Sequence, residues 1–261
     1  MKIAVTGKGG VGKTTLASLI SKAFAAEGYT VLAIDANPDP NLAMALGINP
    51  TIIEKLVPIS RMDELIEERT GAKPGASGGY FKINPRVDDI PDKYSISIDH
   101  IKLLYMGTVV KGGGGCICPE STILKSLTTH LVLRRSEVVV MDMDAGFEHL
   151  GRGTAAGMDA FIVVVEPGQR SLQTARGIEK LAKDIGVSKV YMVGSKTKSA
   201  EERAFISENL PGFKILGFLD YNLKIAEADM KGVSVYDYVP EAAAEAKRII
   251  GQLLATDKTK L

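Results

Sequence analysis

Tryptophan is absent from this chain, and cysteine occurs only twice, at Cys116 and Cys118. Two cysteines one residue apart make a poor structural disulfide, which excludes a disulfide-scaffolded secreted fold. The three histidines, His100, His130 and His149, show no zinc-finger spacing with the cysteines and are assigned no metal role; His149 is read as a hydrogen-bonded structural residue. An excess of charge is missing too: 32 Lys and Arg stand against 31 Asp and Glu, a net charge of +1. No field of one sign favours nucleic acid or an anionic membrane, so neither is expected as a stable partner. No apolar run approaches the length of a bilayer span, and the N-terminus enters a strand at once without a signal-peptide pattern; the expected location is cytoplasmic. Internal repeats are absent, and the one low-complexity stretch is the glycine run at 112–115.

What is present is enough for one substantial core. With 45% hydrophobic and 24% charged residues over 261 positions, the composition fits a single α/β domain spanning 1–261. Its organising stretch is the first: a short apolar strand runs into a glycine-rich loop that opens onto a helix. From Gly7 to Thr14 the chain reads G-x-x-x-x-G-K-T, a P-loop. In this pattern backbone N–H groups, a helix N-terminus and a lysine surround phosphates while a hydroxyl meets magnesium. Gly7, Gly9, Gly10, Val11, Gly12, Lys13, Thr14 and Thr15 are therefore candidate ATP-binding residues, with Lys13 on the β/γ-phosphates and Thr14 on Mg²⁺.

The P-loop is followed by a helical apolar spacing over about 13–27, ended by Gly28, and by a buried-strand run at 30–34. The segment 35–42 then sits at a strand's C-terminal end, where open parallel sheets place ligands. Residues 51–99 are less regular and read as an insertion carrying partner contacts, with a charged helical segment near 61–69. Further strands are predicted at 101–106, 138–142, 160–165, 189–194 and 214–218, with helices at 120–133, 171–185, 200–209 and 241–254. Alternation of this kind predicts a mainly parallel sheet of about seven or eight strands with helices on both faces. Asp142, ending a central strand, is a candidate carboxylate for magnesium or its waters. The apolar stripe of the last helix is expected to pack on the sheet, its thin cationic face arguing against a membrane anchor.

The loop order Gly7-Lys8-Gly9-Gly10-Val11-Gly12-Lys13-Thr14-Thr15 resembles that of the deviant Walker A ATPases, which include MinD, ParA, the nitrogenase iron protein and the carbon monoxide dehydrogenase maturation ATPases. The resemblance implies a homodimer in which Lys8 acts in trans on the partner's nucleotide. It also implies a first switch at 35–42 and a second at Asp142–Glu148. Thiolates are soft ligands for nickel, zinc, copper(I) or iron–sulfur centres, and the Cys-x-Cys loop at 111–119 can aim two sulfurs at one ion. Two ligands do not close a tetrahedral site; with a face-to-face dimer, Cys116 and Cys118 from both subunits give four thiolates.

With the Cys116-Ile-Cys118 pair and Met141-Asp-Met-Asp-Ala-Gly-Phe-Glu-His-Leu-Gly-Arg-Gly153, the chain resembles the CooC-type maturation ATPases, whose relatives include the AcsF type. That implies ATP-dependent delivery of Ni²⁺, with Zn²⁺ a competitor, to carbon monoxide dehydrogenase or acetyl-CoA synthase. The competing readings are an iron protein-like electron-transfer ATPase and a MinD/ParA-like positioning ATPase. Two positions depart from the family pattern. Ser195 precedes Lys196 where an Asn is common at the adenine-contacting strand end, and Asn37 stands where relatives carry an aspartate thought to orient the attacking water. An amide cannot take that proton, so Asn37 implies slowed hydrolysis, as a natural property or an ATP-trapping substitution, with Asp39 the nearby substitute.

Overall fold

The computed structural model describes residues 1–75, 80–108, 118–130, 136–143, 155 and 157–257. Among them eight strands form one sheet in the order β3-β4-β2-β5-β1-β6-β7-β8. These are β1 (Lys2–Gly7), β2 (Thr30–Ala36), β3 (Ile96–Ile98), β4 (Ile101–Tyr105), β5 (Glu137–Met143), β6 (Ala160–Val165), β7 (Lys189–Thr197) and β8 (Lys214–Asp220). Every pairing is parallel except β3 with β4. The β3–β4 hairpin turns through Asp99, whose φ is +51°. Its three-residue edge strand is too short to announce itself by alternation in the sequence.

The period of two places residues on opposite faces of the sheet. In β1, Ile3 and Val5 join one apolar cluster and Ala4 the other; in β5, Val138 and Val140 face one way and Val139, Met141 and Met143 the other. The first face is covered by α1 (Lys13–Ala26) and α11 (Pro240–Asp257), through Leu16, Leu19, Ile20 and Phe24 of the one and Ile249, Ile250 and Leu253 of the other. The second face is covered by α4 (Asp63–Thr70), α6 (Pro119–His130), α7 (Gln169–Asp184) and α8 (Ala200–Asn209). Shorter α-helices among the described residues are α2 (Asn41–Ala45), α3 (Pro50–Ile53), α5 (Ile90–Tyr94), α9 (Leu223–Met230) and α10 (Val235–Tyr238).

β1 lies between β5 and β6, while the chain leaves it for β2, two positions away. The crevice beyond the C-terminal end of β1 is therefore where connections diverge to the two halves of the sheet, the natural ligand position of an open parallel sheet. The P-loop opens there.

The stripe of α11 is not free. Ile249 is fully buried, and Gly217 of β8 makes room for it: a Cβ at Gly217 would lie 2.9 Å from Ile249 Cγ1. No helix among the described residues is long and apolar enough to cross a membrane. Ile249→Ala is expected to destabilise the chain by about 2–5 kcal/mol in urea unfolding. Unchanged stability together with weakened vesicle binding would make this helix a membrane anchor instead.

Candidate functional site

The phosphate loop is held open by backbone geometry that only glycine supplies. Gly7 ends β1 at φ +148°, and a Cβ there would stand 2.6 Å from the Val164 carbonyl oxygen of the adjacent strand. Gly12, at φ +98°, is the N-cap residue of α1 and has no capping side chain, so the first N–H groups of the helix face the crevice. Val11 is buried and anchors the loop, whereas Gly9 and Gly10 are exposed at its tip. Lys13 is only 8% exposed, and its Nζ donates to the Lys8 carbonyl at 3.3 Å, which folds the cation over the loop.

Opposite the loop stand two carboxylates. Asp35 of β2 and Asp142 of β5 are paired in register on neighbouring strands, and both are fully buried. Asp142 Oδ2 accepts from Thr14 Oγ1 at 2.6 Å and from Asn37 Nδ2 at 2.8 Å. Asp35 is committed to the local backbone: Oδ1 accepts from Asn37 N and Nδ2, and Oδ2 from Leu42 N. Desolvation, then the charge of Asp35, raises the Asp142 carboxyl to about 7. Desolvation raises Asp35 to about 6, against its hydrogen bonds to Asn37 and Leu42.

The other oxygen of Asp142, Oδ1, is buried without a hydrogen-bond partner among the described residues. An orphaned carboxylate oxygen beside a P-loop hydroxyl suits a hard divalent cation, so Thr14 and Asp142 fit Mg²⁺. Sequence reasoning nominated these two residues from segments far apart in the chain, and the fold brings them into hydrogen-bond contact.

Beside the P-loop lies a cavity of about 480 Å³ whose lining includes Gly12, Thr14 and Thr15. Its walls include Ser195 and Lys196 from β7, Tyr221 and Leu223 beyond β8, and Met44 of α2. Lys196, at φ +57°, sits at an irregularity of the β7–β8 pairing and donates Nζ to the Gly10 carbonyl at 2.5 Å. It thereby joins the cavity to the phosphate loop. The apolar wall was not legible in sequence, because Met44, Leu223 and Val233 come from three short connections with no pattern in common.

Other expected site residues are more dispersed. Lys8 pairs with Glu166 at 3.2 Å within its own chain, both side chains being partly exposed. Asp39 is exposed, and its carbonyl accepts from Asn41 N at 2.8 Å. Cys118 is half-buried just ahead of α6, its Sγ donating to Ser121 Oγ at 3.2 Å. Cys116, most of the 111–119 loop, and the second-switch residues from Asp144, with His149, lie outside the described residues.

Comparison with known proteins agrees with this geometry. The profile of the CobQ/CobB/MinD/ParA nucleotide binding domain matches residues 2–235. The chain belongs to that family. It is 45% identical over 254 residues to the carbon monoxide dehydrogenase accessory protein CooC of Rhodospirillum rubrum, covering 97% of this chain and 96% of that protein. It is 42% identical to an uncharacterized ATP-binding protein of Methanocaldococcus jannaschii, covering 99% of this chain and all of that one. Among solved structures, MinD of Aquifex aeolicus superposes with a TM-score of 0.68 at 20% identity, covering 96% of both chains. The MinD of Pyrococcus horikoshii complexed with Mg-ADP gives 0.69 at 17%, covering 100% of this chain and 99% of that one. At such identities these two structures speak to the fold alone.

The Asp142 carboxyl has a pH signature. Because its folded value lies above the ordinary 3.8, the ionised form does not oppose folding at lower pH and opposes it fully above about 7. Without nucleotide or Mg²⁺, Asp142→Asn is expected to melt several degrees above the parent at about pH 8, the gap closing toward about pH 4. Differential scanning calorimetry across that range checks it; a gap independent of pH would contradict it.

Proposed function

We propose that this chain is an ATP-hydrolysing metallochaperone that supplies nickel during maturation of carbon monoxide dehydrogenase. The observation that carries the ATPase reading is the buried Oδ1 of Asp142, without a hydrogen-bond partner among the described residues, on the carboxylate that accepts from Thr14 of the P-loop. Lys13, the loop amides and the α1 N-terminus would bind the phosphates, Thr14 and Asp142 would hold Mg²⁺, and the cavity beyond Thr15 would take the base. Bound Mg²⁺ would neutralise charge on the β- and γ-phosphate oxygens. The client is supported by the 45% identity with CooC over nearly the whole of both proteins.

On this reading Lys8 is the deviant Walker A lysine and reaches the nucleotide of a second subunit. Its ion pair with Glu166 is partly exposed and so worth about 1 kcal/mol or less, a restraint that dimerisation can break. Cys116 and Cys118 of both subunits hold the metal cargo as four thiolates, and ATP closure changes the geometry between them. Equilibrium dialysis with Ni²⁺ or Zn²⁺ is expected to find about one tightly held ion per dimer. Unchanged binding in the Cys116→Ala, Cys118→Ala double variant would overturn the metal site. A pull-down from nickel-fed anaerobic lysate that recovers acetyl-CoA synthase rather than carbon monoxide dehydrogenase would change the client.

Asn37 bears on the rate. Its Nδ2 donates to both Asp35 and Asp142 at 2.8 Å, so an aspartate here would bring a third carboxylate against two buried ones. Asn37→Asp is therefore expected to lower the melting temperature in the absence of Mg²⁺. It is also expected to raise MgATP hydrolysis by about 10²-fold or more, by restoring a group that can accept a proton from water. Phosphate release and calorimetry read the two effects. Unaltered turnover would move water positioning away from residue 37, toward Asp39 or Asp144.

A further inference from the structure

Residues 37–40 form the loop that faces the phosphate site, and little holds them there. Pro38 and Pro40 have no N–H to give, which removes half of the loop's usual backbone donors. Asp35 grips the two ends: its Oδ1 accepts from Asn37 N at 3.1 Å and its Oδ2 from Leu42 N at 2.8 Å. The bond from Asn41 N to the Asp39 carbonyl at 2.8 Å is internal to the turn and ties it to nothing else. Among the described residues, one hydrogen bond joins the middle of the loop to another element. Tyr105 Oη donates to the Pro38 carbonyl.

Tyr105 is well placed for this. It is the last residue of β4, paired in register with Asp35, and only 6% exposed. The next two amides, Met106 N and Gly107 N, both donate to the Asp35 carbonyl, at 2.9 and 3.1 Å. Gly107 holds φ +67°, and a Cβ on it would stand 2.6 Å from Pro58. The strand end is thus fixed on its own account, and the phenol is delivered from a rigid support to a carbonyl of the loop. The residue that follows that carbonyl is Asp39.

We propose that Tyr105 is a positioning residue for ATP hydrolysis, its hydroxyl pinning the Pro38 carbonyl so that Asn37 and Asp39 are presented to the γ-phosphate and its attacking water. This rests on the nucleotide reading above. Tyr105 touches neither phosphate nor metal; it acts through the loop, so its loss should affect rate rather than binding. A group displaced by a fraction of an ångström from its productive position loses rate steeply.

The test compares the parent with Tyr105→Phe, which keeps the ring and removes the hydroxyl. Single-turnover hydrolysis of MgATP is expected to slow roughly tenfold, with MgATP affinity within about twofold and little change in melting temperature. Amide exchange at Asn41, whose N–H is bonded within the loop, is expected to quicken, while exchange in β4 and β5 stays as in the parent. That second measurement decides the matter even if the parent turns over too slowly for kinetics. Unchanged exchange at Asn41, or a loss of rate, affinity and melting temperature together, would overturn the positioning role. A parent that binds no MgATP would overturn the nucleotide reading and this proposal with it. A parent that binds it normally while Tyr105→Phe behaves as the parent would overturn only the proposal.

Discussion

Two carboxylates buried side by side at the ends of neighbouring strands are the constraint on which the phosphate edge of this molecule depends. Asp35 and Asp142 sit in register on β2 and β5, fully buried, both made harder to ionise by desolvation and Asp142 further by the charge of Asp35. Such a pair survives only where donors face it. Thr14 supplies one from the first turn of α1, the Asn37 amide bridges the two, and the amides of Asn37 and Leu42 complete Asp35. Among the described residues one oxygen, Asp142 Oδ1, is left without a partner, on the carboxylate whose other oxygen accepts from Thr14, the P-loop hydroxyl that a magnesium site needs.

This compensation organises the neighbouring loop. Because Asp35 binds the amides on both sides of residues 38–41, the turn into α2 is closed by a side chain rather than by backbone ladder bonds. Its middle then rests on Tyr105. The α2 helix that follows contributes Met44 to the cavity wall, so the Asp35 carboxylate, by holding the Leu42 amide, also fixes where one wall of the cavity stands.

Much of the fold was legible in the chain because its signals are long and periodic. The apolar runs at 30–34, 138–142 and 160–165 lie within β2, β5 and β6, and the helical spacing after Gly12 coincides with α1. The edge strand β3 and the short helices α2, α3, α5, α9 and α10 were missed, since a three-residue strand and helices of one or two turns carry too few residues to define a period. At the site, Thr14 and Asp142 could be nominated because each ends or begins a recognisable element. Tyr105 and Glu166 could not: their importance comes from which strand lies next to which, and no spacing along the chain reports that. The bridging role of Asn37 is likewise a three-dimensional fact, visible only once Asp35 and Asp142 are adjacent.

The most direct measurement of the central claim replaces Mg²⁺ by paramagnetic Mn²⁺ in the presence of ATP and reads the coupling of the bound ion to phosphorus nuclei by electron–nuclear double resonance. If Thr14 and Asp142 hold a cation against the phosphates in the P-loop, the parent should show strongly bound Mn²⁺ with clear phosphorus coupling, and the signal should weaken sharply in Thr14→Val. Protein-bound Mn²⁺ without phosphorus coupling, or a spectrum indifferent to Thr14→Val, would contradict the assignment of these residues to a magnesium–nucleotide site.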